Sequence, residues 1–384
     1  MSLNQDRPPD HQSERKLPGQ VVLVFQGGGA LGSYQAGVYQ ALHEASIEPD
    51  WVIGTSIGAI NASLIAGNRR EDRLAKLEEF WSRVESRPAW DFGGGWDTSG
   101  VSSGISDALS NWSTVIGGIP AFFQPNPLAH LGLRLPLGSD RAGYYSTSPL
   151  EKTLLELVDF DRLNREGPRF TVGAAHVRTS EMRYFDSRTC AISVKHVLAS
   201  GALPPAFPAI RIDGELYWDG GVLSNTPTEI VFDDNPRKDA LIFAAHMWNP
   251  VGPEPESIWE VLHRQKDIQY SSRISSHVIR QKQTHRMRHV ISQLAARLSD
   301  DERNSDLVKE LASYGCTTRM HVVQLLAPRL SHDNHTKDID FSRSGIRHRW
   351  EAGFEHTRAM LEQKPWEGEF DPLEGVILHQ RTME

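Results

Sequence analysis

The chain has 384 residues, more than one ordinary domain needs, with 39% apolar and 23% charged residues, so it is a globular chain and not a disordered one. Its formal charge of −8 excludes nucleic acid as the principal partner, because a duplex binder carries a basic balance. Cys190 and Cys316 lie far apart and outside any metal-ligand spacing, so reduced thiols and no structural metal are expected.

Residues 1–19 are polar and lack the apolar core of a secretion signal, which reads as a disordered leader. No run of about 18 apolar residues occurs, so no transmembrane helix is expected, and the chain reads as cytoplasmic with peripheral membrane association. Residues 21–25 then form a continuous apolar, β-branched run, the pattern of a strand buried on both faces. Gly27-Gly28-Gly29 follows, then Tyr34, Val38, Ala41, Leu42 and Ala45 at helical spacing, then a second short strand at 51–53. This is a βαβ unit, which implies a parallel sheet. Ile57, Ile60, Leu64 and Ile65 begin another helix that stops near Gly67, and 71–84 is amphipathic.

Periodicity is lost across 86–147, a stretch with Gly93-Gly94-Gly95, Trp112 and Phe122-Phe123. A segment that long reads as a lid-like insertion, with a variable surface loop as the equal alternative. Ser148-Pro149-Leu150-Glu151 is read as a capping box opening a helix to Val158. Strands are expected at 170–175 and 182–185, a short helix at 194–200, and a sharp turn at Trp218-Asp219-Gly220-Gly221, with Asn225 capping the next helix. A buried strand at 240–245 closes a catalytic-type domain spanning 20–250. Residues 251–384 are mainly helical, and 258–298 is rich in Arg and Lys. That basic face suits either an anionic membrane surface or packing on its own domain. A late strand at 321–326 and a helix at 346–361 complete the chain, without internal repeats.

Gly54-Thr55-Ser56-Ile57-Gly58 fits a nucleophile elbow, in which a tight strand-to-helix turn exposes the serine hydroxyl and glycines flank it because side chains there would clash. Gly100-Val101-Ser102-Ser103-Gly104 also fits, but no strand precedes Ser102. The helix that follows Ser56 turns its positive end toward the hydroxyl. Gly27, Gly29 and Gly32 satisfy the dinucleotide pattern G-x-G-x-x-G, yet the second strand ends in Gly54-Thr55-Ser56 without the acid that would hold a ribose. Beside an elbow serine the glycine run is better used as an oxyanion hole, with the amides of Gly27, Gly28 and Gly29 converging on one oxygen. Asp219, the acid of the only Asp-Gly-Gly, is then the candidate base, since a carboxylate close to the serine can take and return its proton.

Gly27 to Gly32, Gly54 to Gly58 and Asp219-Gly220-Gly221, in that order, resemble the three signature blocks of patatin-like phospholipases, and the segment from Ala199 to Pro208 is similar to the family's approach to its Asp. The resemblance covers about residues 20–250. It implies a three-layer α/β/α fold with a mostly parallel central sheet, no cofactor or metal, and hydrolysis of fatty-acyl esters of phospholipids or related lipids. Carried over position by position, Ser56 is the nucleophile, Asp219 the base, and Gly27, Gly28 and Gly29 the oxyanion donors, with Gly32, Gly54, Gly58, Gly220 and Gly221 shaping the turns. The family often has Arg or Lys before the last glycine of the first block, where this chain has Leu31, which favours a neutral ester. Two other readings stand beside this one. One is a Ser-Asp-His hydrolase using His246 or His321, and the other is a lipid-binding protein on the same fold without turnover.

Overall fold

In the computed structural model, which describes residues 17–85, 118–131, 136–271, 274–329 and 336–380, the apolar runs become the central strands of one sheet. In chain order the strands are β1 (Gln20–Phe25), β2 (Trp51–Gly54), the short pair β3 (Gln124–Pro125) and β4 (Tyr145–Ser146), β5 (Arg169–His176), β6 (Met182–Asp186), β7 (Ile210–Ile212), β8 (Glu215–Asp219), β9 (Ala240–His246), β10 (Met320–Leu326) and β11 (Val376–Gln380). Nine of them form the main sheet among the described residues, in the order β11-β10-β9-β1-β2-β5-β8-β7 with β6 also on β5, while β3 and β4 make a separate hairpin. From β11 through β5 every pairing is parallel, and β6, β7 and β8 run against their neighbours.

Helices cover both faces, which is why the central strands read as unbroken apolar runs. Along β1 the side chains alternate: Val21, Leu23 and Phe25 enter the larger core, and Val22 and Val24 enter a second core on the opposite face with Trp51, Ile53, Phe232, Ile242 and Val322. The larger core holds α1 (Ser33–Glu44), α2 (Ile57–Ala66) and α3 (Arg73–Arg83), all close to their predicted places. All ten residues of α2 are buried. Asn61, at a glycosylation-type Asn-Ala-Ser, is one of them, so a glycan has no access.

Two local expectations need correction, and a third is filled in. The helix α4 (Ser148–Leu157) does start near Ser148, but Thr147 is its cap residue and no side chain caps it, so the Ser148/Glu151 box is not formed. Asn225 caps nothing: the next helical turn, Glu229–Phe232, has Thr228 at its cap position, and Asn225 turns instead toward Gly27. The basic region forms two helices that follow α5 (Val194–Ser200) in chain order, α6 (Ile258–Ser271) and α7 (Ile274–Ala296). Several of their cations already have partners in this chain: Lys266 with Asp338, Lys282 with Glu374 and Arg286 with Asp371.

Residue 250 is not a break in the structure. The C-terminal region is mainly helical, but β10 and β11 extend the central sheet, and α8 (Arg343–Gln363) packs along α1. Of the insertion, 86–117 and 132–135 lie outside the described residues, as does the leader to residue 16. Phe122 and Phe123 are packed into the core against Phe80, Tyr145, Phe207 and Phe341. No described helix is long and apolar enough to cross a membrane.

Candidate active site

Strand pairing brings Ser56 and Asp219 together. β6 pairs with β5 across Thr171–Ala175, which overlaps both the stretch taken by β2, Arg169–Val172, and that taken by β8, Ala174–His176. A strand has only two edges, so β2 and β8 must share the edge opposite β6 and meet end to end on it. Gly54 lies opposite Val172 and Asp219 opposite Ala174, two residues or about 7 Å apart along β5. The residue after β2's turn and the last residue of β8 therefore face one gap.

Ser56 sits in that gap with φ 56° and ψ −126°, a conformation disfavoured for any residue with a Cβ. The turn is enforced from three sides. A Cβ on Gly54 would strike the Gly58 carbonyl, and one on Gly58 would strike the Phe25 carbonyl, so only glycine fits at either flank. The Thr55 amide donates to the Phe25 carbonyl at 3.1 Å, tying the turn to β1. The Ser56 amide donates to Ser200 Oγ at 2.9 Å, and the Ser200 hydroxyl donates onward to the Gly173 carbonyl at 2.6 Å. Ser200, buried at the end of α5, is a positioning residue that the sequence did not single out.

Asp219 is 2% exposed, accepts from the Gly221 amide at 2.7 Å, and lines the same pocket as Ser56. Burial pushes its carboxyl up to about 7, while the Ser56 side chain and the Gly221 amide pull the other way. Gly220 packs against the Gly173 carbonyl, which leaves no room for a side chain in the turn.

The glycine loop is held rigidly at its first residue. The Gly27 amide donates to the Asn225 carbonyl at 3.2 Å, so it is not free to serve as an oxyanion donor, a correction to the three-glycine reading. The Gly27 carbonyl accepts from Asn225 Nδ2 at 3.1 Å and Trp248 Nε1 at 2.8 Å. The amides of Gly28 and Gly29 donate to nothing among the described residues. Gly29 has φ 56° and lies against the Asp338 carbonyl, so its lack of a side chain is required twice over. Gln26 anchors the loop from below: its side chain reaches Thr226 and the carbonyl of Tyr270, and accepts from the amides of Met247 and Trp248. Gly32, at the far end of the motif, is tied through its carbonyl to Asn61.

These groups line one pocket of about 190 Å³. Gly27, Gly28, Gly29, Ser56, Asp219 and Gly221 contribute polar lining, and Ile57, Ile60, Phe122, Phe123, Leu150, Phe207 and Phe341 apolar lining. Tyr270, Asp338, Ile339 and Phe341, all beyond residue 250, contribute to the wall. No Lys, Arg or His lines it among the described residues. Neither histidine of the triad alternative lines the pocket: His246 is buried with neither ring nitrogen bonded among the described residues, and His321 pairs with His379 at 3.0 Å. Ser102 falls outside the described residues.

A family model described as patatin-like phospholipase matches residues 23–232, more than half of the chain. The chain belongs to the patatin-like phospholipase family. A second model, described as patatin phospholipase, matches 268–373, so the C-terminal part that the sequence reading set outside the shared region is matched as well. Over 214 residues the chain is 40% identical to human patatin-like phospholipase domain-containing protein 6, covering 55% of this chain and 12% of that protein. It is 28% identical over 223 residues to the uncharacterized NTE family protein Mb2594 of Mycobacterium bovis, covering 57% and 30% respectively. Lysophospholipase nte1 of Aspergillus terreus is 53% identical over 57 residues, 15% of this chain and 4% of that one. The chain thus spans at most 30% of the length of these curated relatives. Among solved structures, VipD from Legionella pneumophila aligns with a TM-score of 0.42 at 17% identity, over 90% of this chain and 67% of that one.

Proposed function

We propose that this patatin-like protein is a serine acyl hydrolase that cleaves fatty-acyl esters of phospholipids or related lipids through a Ser56–Asp219 dyad. The observation that carries this reading is that Ser56, on a strained turn, and the buried carboxylate of Asp219 line one largely apolar pocket, with the Ser56 side chain acting on that carboxyl. Asp219 takes the Ser56 proton as Oγ attacks the ester carbonyl, and the carbonyl oxygen becomes an anion facing the Gly28 and Gly29 amides. Collapse of that intermediate breaks the ester bond, and the leaving alcohol takes the proton from Asp219. A water, deprotonated by the same carboxylate, then releases the fatty acid from Ser56. A carboxyl near 7 suits both directions, since it can accept and return a proton at neutral pH.

The cation-free lining and Leu31 both favour an ester whose reacting end is neutral. Association with a lipid surface is supported by α6, which exposes Ile258, Val261, Leu262 and Ile268 on one side while Tyr270 of the same helix lines the pocket.

Fluorophosphonate labelling of the purified protein, with the adduct located by peptide mass spectrometry, tests the dyad. Labelling at Ser56 that falls sharply in Asp219→Ala is expected. No adduct, or one at Ser102 indifferent to Asp219, overturns the mechanism and leaves a lipid-binding protein as the better account.

A further inference from the structure

We propose that the ion pair between Asp267 and Lys337, both from the C-terminal region, is a positioning device that holds the glycine loop in register through Trp248. The inference rests on the dyad reading and extends it to residues outside the 23–232 match.

Asp267 on α6 is completely buried and Lys337 is 5% exposed, with Nζ and Oδ1 2.8 Å apart. Arg329 and His263 approach the second oxygen of Asp267, each at 3.5 Å. Replacing a buried pair of this kind by apolar side chains is often neutral for stability, so its contribution is sought in what the charges locate. The Lys337 ammonium lies 5.1 Å from the centre of the Trp248 ring, a cation–π contact that fixes the indole from one side. Tyr270, one turn after Asp267, packs on the same indole at 4.9 Å between ring centres. Held between them, Trp248 donates Nε1–H to the Gly27 carbonyl, and a Cβ on Gly28 would come within 3.2 Å of that nitrogen.

The same two segments touch the loop a second time. The Tyr270 carbonyl accepts from Gln26, immediately before the glycines, and the carbonyl of Asp338, next to Lys337, lies against Gly29. One ion pair therefore joins the helix that supports the start of the loop to the strap that covers its third glycine. Separating the two charges lets both supports shift while leaving Ser56 and Asp219, which depend on β2, β5 and β8, where they are. The consequence is specific: the amides of Gly28 and Gly29 lose their aim, and stabilisation of the tetrahedral intermediate falls with little change in substrate binding.

The test uses the full chain with the double variant Asp267→Leu/Lys337→Met, which leaves no unpaired charge from the pair. Wild-type labelling at Ser56 by a fluorophosphonate is established first, so failure of the dyad itself is seen separately. The expected result is a melting temperature close to wild type, a drop in kcat of about tenfold to a hundredfold with KM changed less than about twofold, and an equal loss of affinity for a trifluoromethyl ketone, whose tetrahedral adduct needs the same amides. Trp248→Phe, which keeps an aromatic ring against Tyr270 and removes the Nε1–H donor, is expected to reproduce the kcat loss and serves as the deciding variant if the double variant does not fold. Wild-type kcat and ketone affinity in a folded double variant, or in Trp248→Phe, would show the pair to be structural only and overturn the proposal with the dyad intact.

Discussion

Asp219→Asn separates the chemical role of the carboxyl from its cost to the fold. Asp219 titrates near 7 in the folded protein against an ordinary 3.8, because burial disfavours the charged form. The native state therefore binds its proton more tightly than the unfolded chain does. Between about pH 4 and pH 7 the folded protein carries more protons, so this group's effect on stability is favourable at low pH and is lost as pH rises through the folded value. At 1.36 kcal/mol per unit, the ionised side chain destabilises the fold by about 4 kcal/mol above pH 7, relative to acid. Asparagine keeps an oxygen for the Gly221 amide and has no charge to bury. Urea unfolding of Ser56-intact wild type and Asp219→Asn at pH 5 and pH 8 should thus show the variant gaining on the wild type by about 2–3 kcal/mol between the two, while esterase activity is lost at both. Parallel pH dependence of stability in the two proteins would refute the claim that Asp219 is held as a buried base.

Ser200→Ala removes the acceptor of the Ser56 amide and a donor to Gly173, leaving buried groups unpaired; a loss of about 1–3 kcal/mol in unfolding free energy and slower labelling of Ser56 are expected. His246→Leu should retain activity, which a Ser-Asp-His triad would not. Burial pushes His246 down to about 4, so the neutral ring's stability is lost as pH falls below about 6.5; the leucine variant should therefore resist acid unfolding better than wild type, as checked by melting curves at pH 4 and 7. Phe341→Leu shortens a side chain of the pocket's apolar lining, where the ring stacks on Trp81 and tilts against Phe122; assays with esters of graded chain length should show the optimum moving to longer chains, at about 1 kcal/mol in stability.

The sequence by itself determined the parallel α/β sheet, the elbow at Ser56 and the turn at Asp219, because each rests on local rules. Strands buried on both faces must be apolar throughout, and a nucleophile on a tight turn needs glycines at Gly54 and Gly58 where carbonyls come too close for a side chain. Tertiary structure alone decided which groups complete the site. Asn225, an ordinary helix-cap candidate in sequence, is drawn to Gly27 and takes that amide out of use, and Ser200, Trp248 and Tyr270 gain their roles through partners 144, 221 and 244 residues away. The C-terminal region gave no local sign of its place because its contribution is pairing: β10 joins β9 across the sheet, and Asp338 reaches Gly29 only once that sheet is built. A motif is legible where neighbouring residues impose its geometry on one another; the meeting of Ser56 and Asp219 is not, because it depends on β2 and β8 sharing one edge of β5.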